Sequence, residues 1–189
     1  MSLRHFSIAG WTALFAVFIL VSLVIAYAFL PDVIDSTSVC TAWLAKNKPN
    51  ETKIVVALKS QNSVCYIENG SLSFPAPASF GRHDGAKEVE GDGKTPEGRY
   101  LLHPARDSRK FGKFLWIDYP HEEHKQNAAR LNRSPGGDVG LHGPQFWYAF
   151  LGRDQARLNH SDGCIVVDED SLRQMVSRVN TPTPMLIVP

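Results

Sequence analysis

Cysteine is scarce in this chain, with three in 189 residues. That is too few for a disulfide-built scaffold or a cysteine-rich zinc module, so the core has to come from apolar packing. Neither sign of charge dominates: 20 Lys and Arg face 19 Asp and Glu, for a formal net charge of +1. No basic stripe with interleaved aromatics runs along the chain, which argues against nucleic acid as a partner. Internal repeats and low-complexity tracts are missing, which leaves no compositional sign of a solenoid or a long disordered tail. The glycine-rich stretch from Gly91 to Gly98 lacks the G-x-x-x-x-G-K-[ST] spacing of a phosphate loop and reads instead as a shaped turn. His121-Glu122-Glu123-His124 is not H-E-x-x-H and has no evident third ligand, so it reads as a solvated helix start. Neither a metal nor a cofactor is expected.

Charge is wholly absent between Ile8 and Leu30. At about 1.5 Å per residue that stretch spans roughly 35 Å as a helix, enough for a hydrocarbon core of about 30 Å. Arg4 precedes it and Asp32 and Asp35 follow it, which favours a cytoplasmic N-terminus. The expected organisation is a cytoplasmic N-terminus (1–7), a single transmembrane anchor or uncleaved signal segment (8–30), a linker or short helical lead-in (31–52) with Thr41–Ala45 helix-compatible, and a catalytic domain (53–189). That domain would face the periplasmic, extracytoplasmic side of the inner membrane. A cleaved signal peptide competes with this reading, because Ala26-Tyr27-Ala28 fits an A-x-A site, although the apolar run is long for one. In an exported chain Cys40 and Cys65 could pair and leave Cys164 unpaired. Alternatively, Cys65 is a buried strand residue in the alternating Val64-Cys65-Tyr66-Ile67.

From Lys53 onward, short apolar runs alternate with turn signals. Lys53–Leu58 reads as a first strand. Asn69-Gly70 marks a two-residue hairpin between Val64–Ile67 and Ser71–Phe74. Further strands are expected at Arg99–Leu102, Phe114–Tyr119, Val139–His142, Ile165–Val167 and Met185–Val188. Glu122–Arg130 reads as a short helix. Asp168 is placed to cap another, in which Leu172, Met175, Val176 and Val179 share one apolar face. The pattern is mainly β, a sandwich or barrel with one or two small helices.

Two residues carry the chemistry. Cys164 follows a short polar run, Ser161-Asp162-Gly163, and opens onto an apolar strand, so its sulfur sits at a turn with backbone N–H groups nearby. A free thiol with a pKa near 8.5 is only a few per cent ionised at pH 7, and an imidazole can accept its proton during attack. His142 on a separate segment supplies one, and His160 is its rival. Phe146, Trp147 and Tyr148 are consecutive and cannot all face one core, so at least one is expected to be exposed, which favours a binding wall or lid over membrane-proximal or half-buried packing.

Four motifs in order, Gly91-Asp92-Gly93-Lys94-Thr95-Pro96-Glu97-Gly98-Arg99-Tyr100, Ile117-Asp118-Tyr119-Pro120, Leu141-His142-Gly143 and Ser161-Asp162-Gly163-Cys164-Ile165, resemble the YkuD-type L,D-transpeptidase family, its ErfK/YafK-like branch in particular. The resemblance covers roughly Lys53 to Pro189. It implies a YkuD-like β-sandwich acting on peptidoglycan stem peptides, with cleavage between the L-centre of a diamino acid and a terminal D-residue through a thioester acyl-enzyme. An amine acceptor then yields a crosslink. By motif, Cys164 would be the nucleophile and His142 the general base. Ser161, Asp162 and Gly163 would form the turn that holds oxyanion donors, among them the Cys164 N–H. Gly143, Phe146, Trp147, Tyr148 and His160 are candidate substrate-binding residues. Two departures stand out. Many members carry His or Arg where this chain has Asp162, and Arg or Asn where it has Val166, positions that help to bind a substrate carboxylate. The interval between His142 and Cys164 is also longer than usual.

Three rival readings remain. An L,D-carboxypeptidase or amidase would use the same residues with water as acceptor. A non-catalytic peptidoglycan-binding module would have kept the turn alone. A zinc amidase would use His142, His160 and Cys164 as ligands.

Overall fold

Nine strands form one continuous sheet in the order β4-β9-β1-β2-β3-β8-β7-β6-β5. The computed structural model of the protein describes residues 8–28 and 34–189. The chain divides into two units, 1–32 and 33–189. In the first, α1 runs Ile8–Ala28, with Phe15, Phe18, Leu20 and Leu23 exposed. Its side chains are described over 15–25, roughly 16 Å of helix. Among the described residues no helix is long and apolar enough to cross a membrane. The expected cytoplasmic N-terminus at 1–7 and the end of the expected anchor at 29–30 lie outside the described residues.

The second unit begins ahead of the expected domain start. The segment read as a linker or helical lead-in holds α2 (Ser36–Asn47), whose first turn is capped by the Asp35 carboxylate accepting from the Ser38 N–H. A disulfide joins Cys40 of this helix to Cys65 of β2 (Ser63–Glu68). Cys40, Val39, Trp43 and Leu44 pack on Ile54, Val56 and Ile67. This burial explains why the helix is part of the domain: its apolar face covers one side of the central strands.

β1 (Lys53–Leu58) pairs antiparallel with β2 and parallel with β9 (Thr183–Val188). The Asn69-Gly70 turn has positive φ at both positions, 51° and 70°, as a tight hairpin requires. It leads into β3 (Ser71–Ser79), which continues through Pro75 and Pro77 beyond the expected end. β3 links the two halves of the sheet: it pairs with β2 over its length and with β8 (Ile165–Val167) at Ala78 and Ser79. Beyond β8 come β7 (Gly140–His142), parallel to it, then β6 (Gly112–Trp116) and β5 (Arg106–Ser108), both antiparallel.

The sheet curls back on itself. β4 (Gly98–Leu102) lies at one edge beside β9, and Leu102 bridges Ile117 just past β6 on the far wing. The His103 N–H donates to the Trp116 carbonyl at 2.9 Å, and the Leu101 N–H donates to the Asp118 carboxylate at 2.7 Å. The fold is therefore mainly β, as expected, but as one curled sheet around a shared core rather than two separate layers. That core includes Tyr66, Phe80, Leu102, Leu115, Leu141, Ile165 and Met185. α3 (Glu122–Arg130) and α5 (Glu169–Arg178) flank it. α5 is capped as expected: the Asp168 carboxylate accepts from the Asp170 and Ser171 N–H groups, both at 3.1 Å.

Candidate active site

Cys164 and His142 are brought together by strand pairing. β7 and β8 run parallel with Leu141 opposite Ile165 and His142 opposite Val166, so the histidine strand lies alongside the residues that follow the cysteine. Both strands are buried throughout, which explains the uninterrupted apolar run of β8. Cys164 and His142 line one cleft of about 590 Å³ together with Tyr148, His160, Ser161 and Asp162.

The cysteine turn rests on the glycine-rich loop. Ser161 forms a bridge with Gly81, its N–H donating to the Phe80 carbonyl and its carbonyl accepting from the Arg82 N–H, both at 3.1 Å. The Ser161 hydroxyl accepts from the Gly163 N–H at 3.0 Å and donates to the Cys164 carbonyl at 2.6 Å. Gly163 has φ +134°, and a Cβ there would stand 2.7 Å from the Lys94 carbonyl oxygen. The Gly81 N–H donates to the Thr95 hydroxyl at 2.8 Å. Asp92 orders the loop: its carboxylate accepts from the Glu88, Val89 and Lys94 N–H groups and from the Lys87 ammonium. Burial pushes the Asp92 pKa up, but those donors outweigh it and hold the carboxyl below its usual value.

The glycine-rich loop is thus the floor under the cysteine turn. Gly163→Ala places a Cβ both in a strained backbone region and against a carbonyl oxygen. The variant is expected to lose about 2 kcal/mol of stability, read as a lowered midpoint in urea; wild-type stability would contradict the packing described.

His142 is 2% exposed. Phe111 stacks on its ring with centroids 4.0 Å apart, and its Nδ1 lies 2.6 Å from the Gly143 carbonyl. Burial holds its pKa down to about 4, against a smaller upward pull from the Gly143 carbonyl, with His160 and Lys110 disfavouring the cation further. At neutral pH the ring is therefore uncharged. A neutral imidazole has one N–H, and the carbonyl requires it at Nδ1, so Nε2 carries the lone pair.

The Cys164 sulfur lies 3.6 Å from the Asp138 carbonyl. Burial pushes this thiol up, while a backbone contact with Gly140 and the charge of Lys110 oppose the shift and Asp138 and Asp162 reinforce it. The resting pair is a neutral thiol and a neutral imidazole in a shared cleft. Such an arrangement can move a proton from sulfur to nitrogen as the sulfur attacks a bound carbonyl.

The other expected site residues divide. Tyr148 and His160 line the cleft with their rings 4.1 Å apart. The His160 Nδ1 lies 2.6 Å from the Leu158 carbonyl and 2.9 Å from the Ser79 hydroxyl, so that nitrogen is occupied on the strand side. Asp162 lines the cleft and pairs with Arg82. Gly143 does not form part of the cleft wall: it is buried, and a Cβ on it would stand 2.8 Å from the Glu169 carboxylate of α5. Its carbonyl lies against His142 Nδ1 and orients the ring. Phe146 is 84% exposed in the short helix α4 (Phe146–Ala149) and is not among the cleft residues. The Trp147 side chain lies outside the described residues. Within the turn expected to hold oxyanion donors, the Gly163 N–H is engaged by the Ser161 hydroxyl.

Among the described residues one group gathers metal-ligating atoms within 4.8 Å of one another, namely His121, Glu123 and His124. The His124 Nδ1 accepts from the His121 N–H at 3.1 Å and its Nε2 lies 3.2 Å from the Tyr100 hydroxyl. Both ring nitrogens therefore have partners in the helix cap and the core. His142, His160 and Cys164 do not form such a group among the described residues.

Sequence reading passes over Phe111 and Lys110. Both sit on the turn between β5 and β6, and β5 is three polar residues with no apolar alternation to announce it. The available signal is Gly112 at φ 66°, a turn glycine ahead of an apolar strand.

The family model of the L,D-transpeptidase catalytic domain, YkuD, matches residues 51–187. Among solved structures, the helical cell shape determining protein Pgp2 from Campylobacter jejuni is similar at 20% identity and a TM-score of 0.54, over 78% of this chain and 54% of that one. Bd1075 from Bdellovibrio bacteriovorus is similar at 21% identity and a TM-score of 0.53, over 73% and 48%. An L,D-transpeptidase from Mycobacterium smegmatis is similar at 15% identity and a TM-score of 0.50, over 73% and 59%. At these identities the likeness is one of fold, and the chain spans between 48% and 59% of the length of these proteins. A search of curated proteins gives no match.

Proposed function

Because this chain belongs to the YkuD family of L,D-transpeptidase catalytic domains, we propose that it is a cysteine-dependent L,D-transpeptidase acting on peptidoglycan stem peptides through a thioester. The observation that carries this reading is the neutral His142, tethered through Nδ1 to the Gly143 carbonyl, in one cleft with Cys164.

The steps follow from that pair. His142 Nε2 takes the thiol proton as the sulfur attacks the carbonyl carbon at the L-centre of the diamino acid. The oxyanion is received by the Cys164 N–H, since the Gly163 N–H is held by Ser161. The C–N bond breaks, the imidazolium returns its proton to the leaving amine of the terminal D-residue, and a thioester remains. An amine acceptor then attacks the thioester carbon and gives up a proton to His142, and the thiol is restored as the C–S bond breaks. With water as acceptor the same steps give an L,D-carboxypeptidase.

The setting follows the same line. The disulfide between Cys40 and Cys65 supports export to an oxidising compartment. The uncharged stretch from Ile8 to Leu30 supports an anchor in the inner membrane, with the domain on its outer side. A contribution to cell shape through wall remodelling is consistent with the fold shared with the Campylobacter protein.

The test is incubation of the full chain with a disaccharide-tetrapeptide, with and without a D-amino acid acceptor, read by mass spectrometry. Release of the terminal D-residue supports the proposal, and exchange for the added D-amino acid identifies a transferase. An unchanged tetrapeptide in both arms refutes it.

A further inference from the structure

Of the five Lys, Asp and Glu residues described in the cleft lining, three are ion-paired, each with a residue outside the lining, and Glu90 and Lys110 are not. Lys87 pairs with Asp92 at 3.0 Å, Asp138 with Arg106 at 3.0 Å, and Asp162 with Arg82. Among the described residues that line the cleft, Lys110 is the one lysine or arginine without an ion-pair partner. Apolar Val166 also lines the wall, 2% exposed.

Lys110 is also held in place. It sits at the tip of the β5–β6 hairpin, with its ammonium 4.8 Å from the centre of the Phe111 ring. That ring in turn stacks on His142 at 4.0 Å. The contact with the aromatic face restrains a long side chain without neutralising its charge. Its field reaches both halves of the reacting pair, since it lowers the proton affinity of His142 and of Cys164. An unpaired ammonium on the wall of a half-open cleft favours an anion, and a carboxylate binds it through a charge-assisted hydrogen bond.

We propose that Lys110 is the specificity-determining residue of the cleft, binding a carboxylate of the donor peptide next to the scissile bond. This rests on the function proposed above and goes beyond it by naming the group that selects the substrate. A stem tetrapeptide offers two such carboxylates, one on the terminal D-residue and one on the D-centre of the diamino acid. Lys110 lies on the β5–β6 hairpin and not on the strand that follows Cys164, so the selectivity is set from a different segment than the one carrying Val166.

The experiment compares three donors: the free tetrapeptide, the same peptide amidated at its terminal D-residue, and the peptide amidated at the D-centre. Release of the D-residue is followed with the native chain, Lys110→Met and Lys110→Arg, and binding of each donor to Cys164→Ala is measured by calorimetry. The native chain is expected to prefer the free acid over one of the amides by roughly tenfold in KM, and that amide identifies the carboxylate. Lys110→Met raises KM for the free acid by about the same factor with little change in kcat, and leaves the matching amide unaffected. Lys110→Arg restores most of the preference. Equal losses on all three donors, or no loss on any, overturn the assignment to Lys110. In that case a native chain that still releases the D-residue leaves the proposed function standing. A native chain inactive on all three donors refutes both.

Discussion

Cys164→Ala is expected to reduce release of the terminal D-residue by at least about 10⁴-fold. The thiol is the one free cysteine among the described residues, and its removal leaves the described lining of the cleft without a thiol beside His142. Cys164→Ser is expected to be nearly as inactive, because a hydroxyl opposite a weakly basic imidazole is a far poorer nucleophile than a thiol. Neither change disturbs the turn. The Ser161 hydroxyl bonds to the backbone of Gly163 and Cys164 and not to the sulfur, so both variants should unfold at nearly the native urea concentration. The resting state adds a second readout. Burial pushes the thiol up and His142 is uncharged, so little thiolate is present at pH 7. Alkylation by iodoacetamide should then be slower than for free cysteine at pH 7 and should accelerate as the pH rises. D-residue release persisting in Cys164→Ala would remove the cysteine from the mechanism. A flat alkylation profile from pH 5 upward would indicate a thiolate–imidazolium pair instead.

Much of this site is legible in the sequence because its parts are local. Gly163 precedes Cys164 for a reason visible in a string, since the turn holds φ +134°, which glycine tolerates. Asp168 and the apolar spacing of Leu172, Met175 and Val176 announce α5 with its cap. Asn69-Gly70 announces the hairpin. The parallel pairing of β7 with β8 is different in kind. Nothing in three-residue strands fixes their partner, yet this register sets His142 beside the residues following Cys164. Only the order of four motifs points to it. What the string hides depends on contacts between distant, unremarkable segments. Gly143 reads as a binding residue, and nothing in the string shows that α5 packs against it. Phe111 and Lys110 lie on a polar hairpin whose position over His142 is a consequence of the sheet's curl. The segment read as a linker or helical lead-in is a helix packed on the sheet, tied there by Cys40 to Cys65, a pairing that composition allows without requiring.

His142 should also make the protein acid-sensitive. Its pKa falls from 6.5 in the unfolded chain to about 4 in the folded one, because burial disfavours the imidazolium. Between those values the unfolded chain binds more protons than the folded one, so stability rises with pH across the interval. The contribution is fully present above about pH 6.5, is lost progressively as the pH falls, and is gone below about pH 4. At about 1.4 kcal/mol for each tenfold change in proton affinity, the loss from this one residue is about 3 kcal/mol. Other groups add to the acid response: burial holds His124 below its usual value, and hydrogen-bond donors hold the Asp92 carboxyl below its own. A comparison with His142→Gln isolates the histidine, since those groups are common to both chains. Urea unfolding at pH 7 and pH 4 is expected to show the native chain losing about 3 kcal/mol more than the variant. Activity should report the same proton. The acid limb of kcat/KM is expected near pH 4 and not near 6.5, because Nε2 keeps its lone pair down to that point. Equal acid losses in the two chains, with an acid limb near 6.5, would mean that His142 is solvated in the working protein and that the Phe111 stack does not shield it.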